Sequence, residues 1–114
     1  MYNSSILEDV KKVLGVDPSN DVFDLDIALH INSTFATLHQ LGVGPEEGFF
    51  ITGPQTKWSE FTTDPRLSGI KSYLVGKVRL AFDPPQHSYT QEAVKETLKE
   101  FEFRLDVASR KDDS

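Results

Sequence analysis

The chain has 114 residues, a length that suits one domain, and its 38% apolar content with 8 Phe, 3 Tyr and 1 Trp is enough for a modest core. It contains no cysteine, which excludes disulfides, thiolate metal sites and cysteine nucleophiles. The net charge of −6 argues against sequence-independent nucleic-acid binding, because neutralising phosphate takes clustered Lys and Arg. Met1 to Ser5 lacks a basic region leading into an apolar stretch, and no apolar run nears the ~18 residues of a membrane span. The expectation is a soluble protein, intracellular when made, that engages no membrane.

In chain order, Ser5 to Leu14 reads as the first helix. Ser5 and Glu8 have capping-box spacing, and Ile6, Leu7, Val10, Val13 and Leu14 share one stripe at helical period. Gly15 is placed to take the left-handed conformation past the helix end, and Pro18 prevents continuation. A second helix runs from about Asp24 to Gln40, with Asp21 or Asp24 as its cap. Its inner stripe is Ile27, Ile31, Phe35 and Leu38, joined by Ala28, while Leu25 and Leu29 lie off it and suggest a second covered face.

The stretch Gly42-Val43-Gly44-Pro45-Glu46-Glu47-Gly48 is turn-forming. Phe49, Phe50 and Ile51 follow as a short strand or an ordered extended arm, and Thr56 to Phe61 makes room for one helical turn carrying Trp58. A third helix opens on Asp64-Pro65, with Leu67, Ile70, Leu74, Val78 and Ala81 as its stripe and Tyr73, Leu80 and Phe82 widening it. Asp83-Pro84-Pro85 ends it. The last helix starts near Ser88, with Gln91 at capping-box spacing, and runs to about Val107 on a stripe of Val94, Leu98, Phe101, Leu105 and Ala108. The pattern therefore predicts an all-α, mainly helical fold of about four helices, with an irregular middle segment that has room for a short strand. One domain covers residues 1–108, and residues 109–114 read as a disordered polar tail.

Residues that carry chemistry do not converge in this sequence. His30 and His39, nine residues apart on one helix, project from nearly opposite faces at about 100° per residue, and His87 stands alone in a Pro-rich turn. The pairs Asp24/Asp26 and Glu46/Glu47 fall in a helix first turn and a loop, where solvated or capping roles explain them. The glycine-rich loop lacks the Lys-Ser/Thr ending of a phosphate cradle, and its two Glu would repel phosphate. Arg66, Lys71, Lys77 and Arg79 are scattered round the third helix rather than stacked on one face. No catalytic residue, metal or cofactor is expected.

Charge is divided along the chain, with ten acids against three bases in residues 1–64 and nine bases against eight acids beyond. Either this is an ordinary acidic surface, or an acidic face of one copy meets a basic face of the next. The middle aromatics, Phe49, Phe50, Trp58 and Phe61 with Ile51, are too apolar for a solvated loop. They cap the chain's own core or pack on a neighbouring subunit, and the small core volume of such a chain favours the neighbour.

Four stretches carry a resemblance: Gln40 to Phe49, Trp58 to Phe61, Lys77 to Pro85 and Glu100 to Leu105. With them the chain, from about Ser5 to Val107, resembles small proteins of tailed phages and of prophages in Gram-positive bacteria, the head–tail connector (adaptor) family. The resemblance implies a helical subunit of the virion's head–tail interface, assembled in the host cytoplasm. It forms a ring, typically twelvefold, beneath the portal protein, extends the DNA channel and docks the next neck protein, such as a head-completion or stopper protein. DNA passes through without specific binding, and no catalytic residues are carried over. Phe49, Phe50, Ile51, Trp58, Phe61, Glu46 and Glu47 are then candidates for the oligomer or partner interface. Asp24, Asp26, Arg66, Lys71, Lys77 and Arg79 are candidates for a channel or charge-complementary face. The alternative is a small helical DNA-binding or packaging factor, such as a terminase small subunit or a regulator, which would need one contiguous basic face.

Overall fold

A computed structural model describes residues 4–62, 69–82 and 86–110, the last three by backbone alone. Among them the architecture is all-α: α1 (Ile6–Leu14), α2 (Asp24–Gln40), the single turn α3 (Trp58–Phe61), α4 (Ile70–Phe82) and α5 (Ser88–Arg110), with no strand. The expected Asp64-Pro65 cap, Leu67 and the Asp83-Pro84-Pro85 stop lie outside the described residues, as does the Ala108 side chain. α5 is helical through Arg110, past the point where the sequence pattern starts a tail.

α1 begins as its sequence dictates. Ser5 Oγ accepts the Glu8 N–H at 3.2 Å, and the helix ends at Gly15, whose φ of 78° is left-handed and suits a residue without Cβ. One expected core position, Val13, is 51% exposed, while Lys11 is buried instead. The cap of α2 also differs from expectation. Phe23 occupies the boundary without a side-chain bond, and both Asp24 and Asp26 sit inside the first turn, where the helix dipole favours anions. In α4 the expected core residue Ala81 is exposed. α5 begins at Ser88, as the pattern predicts, with the His87 carbonyl accepting the Gln91 N–H at 3.0 Å.

α2 packs on α4, α1 lies against both, and α5 packs on α4. Phe23, at the start of α2, meets Phe82, at the end of α4, edge-on at 5.7 Å, so the two helices run antiparallel. The core joins Ile6, Leu7 and Val10 of α1, Ile27, Ile31, Phe35 and Leu38 of α2, and Ile70, Tyr73, Leu74 and Val78 of α4. α5 adds Leu98 and Leu105.

The middle segment is ordered by side chains rather than by a sheet. Asn32 of α2 accepts the Ile51 N–H at 2.7 Å and donates to the Ile51 carbonyl at 3.0 Å, standing in for a strand neighbour. Nearby, an antiparallel bridge joins Ser5 and Lys57, with Ile6 N–H on the Thr56 carbonyl at 3.1 Å. Phe49 therefore reaches Phe35 and Phe61 at centroid distances of 5.0 and 5.3 Å, with Phe35 and Phe61 themselves 4.7 Å apart. This aromatic triad closes the loop over the C-terminal half of α2.

Candidate assembly surfaces

The side chains marked by the sequence as an interface divide into two groups. Ile51, Trp58 and Phe61 are buried in the chain's own core, and Phe49 packs half-buried against it. Phe50 is 67% exposed, and Glu46 and Glu47 are exposed beside it on the loop. The loop is held by His39, whose Nε2–H donates to the Glu46 carbonyl at 2.8 Å, leaving the carboxylates to solvent.

The charged candidates do not form one face either. Asp24 pairs with the buried Lys11 at 2.8 Å. Lys11 Nζ also donates to the Asn20 and Pro18 carbonyls at 2.8 and 3.3 Å, so one ammonium ties the linker and the start of α2 to α1. Lys77 lies 3.8 Å from Glu102, which also accepts the Tyr73 hydroxyl at 2.7 Å, locking α4 to α5. Burial, then the hydrogen bond and charge of Glu102, push the Tyr73 phenol above its ordinary range, so it remains a neutral donor. Asp26 and Arg79 are exposed on α2 and α4. Arg66 lies outside the described residues.

Lys71 belongs to a cluster that sequence reasoning did not assemble. Asp9 Oδ2 accepts from Ser4 Oγ at 2.6 Å and from Trp58 Nε1 at 2.8 Å, and Lys71 Nζ stands 3.4 Å away. The same ammonium lies 5.0 Å from the Trp58 ring centroid, a cation–π distance. Burial pushes the Asp9 carboxyl up, but the Ser4, Trp58 and Lys71 hydrogen bonds with the Lys71 charge outweigh it, and its pKa lies below the ordinary value. These residues line an open groove of about 490 Å³ between α1 and α4, completed by Lys12, Val13, Ser72 and Val75. Its walls are mostly apolar, with ammonium groups at the rim.

Val22, in the turn just before α2, and Leu25 and Leu29 on α2 are 78%, 75% and 57% exposed. Leu25 and Leu29 lie on the far side of the helix from Ile27, Ile31 and Phe35, so α2 is apolar on two faces and its own fold covers one. Asp21 and Asp26 flank this strip. Tyr89, Phe103 and Val107 form a further exposed set on α5. Among the described residues no three His, Cys, Asp or Glu gather as a metal site, and no helix is long and apolar enough to cross a membrane.

The chain thus combines a closed helical core with apolar patches exposed on separate faces. The sequence model of one family, described as phage connector protein, matches residues 6–112, and the chain belongs to that family. No curated protein and no solved structure matches it.

Proposed function

We propose that the chain is a non-enzymatic structural subunit of the phage neck that assembles with copies of itself into a ring at the head–tail interface. The ring, twelvefold in the virion, sits beneath the portal protein, extends the DNA channel and offers a docking surface to the next neck protein, a head-completion or stopper protein. Assembly takes place in the host cytoplasm, and DNA slides through the channel without specific binding. The observation that carries this reading is the family match over residues 6–112.

The physical features support it. A subunit whose core is already closed, and which still exposes Val22, Leu25 and Leu29 at the start of α2 and just before it, has apolar surface to satisfy outside itself. Phe50, Glu46 and Glu47 form a second outward point, assigned here to a partner contact, and Asp26 and Arg79 supply charge of opposite sign on different helices. The test is to mix the purified chain with cognate portal rings and measure mass and symmetry by electron microscopy and mass photometry. Added density with the portal's symmetry is expected. A chain that stays monomeric and leaves portal rings unchanged overturns the reading.

A further inference from the structure

Two surfaces of the chain complement each other, and one copy cannot bring them together. The first is the α2 strip, Val22, Leu25 and Leu29, flanked by the exposed carboxylates of Asp21 and Asp26. The second is the α1–α4 groove, whose lining includes the 51% exposed Val13 and the half-buried Val75, with Lys12 and Lys71 at its rim. Arg79 continues that basic edge two turns along α4 from Lys71, since residues 71, 75 and 79 advance only about 40° per step of four. Asp9, the acid within the groove, already accepts from Ser4 and Trp58 and faces Lys71, so its charge is offset locally. The strip is apolar with acidic flanks. The groove is apolar with basic flanks.

The two surfaces also point in different directions. Leu25 and Leu29 face away from the α2 stripe that packs on α1 and α4, whereas the groove belongs to α1 and α4 themselves. The strip starts at the end of α2 that meets Phe82, and the groove lies around Ser72, ten residues or about 15 Å away along α4. We propose that the Val22–Leu25–Leu29 strip of one copy seats in the α1–α4 groove of the next, with Asp21 and Asp26 meeting Lys12 and Arg79. The contact joins two different patches, so it is heterologous and repeats from copy to copy, closing into a ring where the rotation permits. It rests on the ring reading and names the surfaces that form the ring.

The absence of cysteine gives a clean test. A full-length chain carrying both Leu25→Cys and Ser72→Cys is oxidised during assembly on cognate portal rings, alongside each single variant and the unmodified chain. Because a disulfide needs Cα atoms within about 7 Å, the two sites cannot bridge within one copy. The expected result is a ladder of covalent multimers from the double variant and dimers alone from an equal mixture of the two single variants. Introducing Leu25→Asp with Leu29→Asp, at positions outside the core, is expected to weaken assembly at least tenfold with unchanged helix content. If the unmodified chain assembles but no ladder forms, the contact is assigned to the wrong surfaces while the ring stands. Cross-links from position 25 to the portal overturn it equally, because the strip then serves another partner. If the unmodified chain does not assemble at all, the ring reading fails and the contact falls with it.

Discussion

Asp9 and Lys11 are two residues apart on one helix and do opposite kinds of electrostatic work. The Asp9 carboxylate is held ionised by donors from Ser4, Trp58 and Lys71, which lowers its pKa below the ordinary value despite partial burial. A group with a depressed folded pKa contributes stability above its unfolded pKa, about 4, and that contribution is lost as pH falls through the lower folded value. Asp9→Asn should therefore flatten the acid limb of stability below about pH 4, read as the urea midpoint between pH 2 and 6, while leaving a constant deficit at neutral pH. An unchanged acid limb in Asp9→Asn would show that the carboxylate contributes nothing to folding. Lys11 is only 3% exposed and answers two carbonyls and Asp24, so Lys11→Ala strands three acceptors. It should cost about 1–3 kcal/mol in chemical denaturation, more than an exposed-lysine substitution such as Lys12→Ala. Neither role was legible in the sequence. Trp58 lies 49 positions from Asp9, and periodicity says nothing about pairs brought together only by tertiary packing. Asp24, read as a channel or interface carboxylate, is instead the partner of a lysine that helical spacing places among the polar residues of α1.

At the scale of elements, the long helices and the stripes of α1, α2, α4 and α5 were legible because burial on one face imposes a 3.6-residue period. The exceptions have local causes. Val13 lines the open groove rather than the core, and Ala81, although on the same face of α4 as Leu74 and Val78, falls in the last turn of the helix and is exposed. The middle segment was not legible, because its order comes from Asn32, the Ser5–Lys57 bridge and an aromatic triad rather than from any repeat. Sequence weighed core against interface for its aromatics, and the structure divides them: Trp58 and Phe61 inside, Phe50 outside. Trp58→Ala should accordingly lower stability by about 3–5 kcal/mol, and Phe50→Ala should stay within about 0.5 kcal/mol, both measured by urea unfolding. Equal losses would mean that the loop packs differently from the arrangement described. Gly44 sets a second test of this segment. Its φ is 93°, and a Cβ there would lie 2.5 Å from Phe61 Cε1. Gly44→Ala strains the backbone and displaces the triad at once, and should cost about 1–3 kcal/mol.

For the whole molecule the decisive quantity is where charge remains after the internal bonds are made. Of the bases the sequence marked, Lys77 is engaged with Glu102, Lys71 sits between Asp9 and Trp58, and Arg79 stands exposed. On α5, Lys95, Lys99 and Arg104 each pair with a glutamate one turn back. With a net charge of −6, no helix among the described residues presents the row of uncompensated cations that a phosphate backbone requires. That arrangement suits the proposed channel role, in which DNA that must slide through should not be gripped. The prediction is that the full-length chain does not retard duplex DNA at about 0.15 M salt, an ionic strength at which the Debye length is about 8 Å and scattered cations act singly. Retardation that fades steeply with added salt would instead reveal a cooperative basic surface and favour the packaging-factor alternative. The proposed contact between copies should respond differently to the same salt titration. Its apolar strip sets the strength, and its flanking charges chiefly speed encounter, so added salt should slow assembly while leaving the assembled population largely intact. Assembly that dissolves with salt would mean that charge, not the α2 strip, holds the copies together.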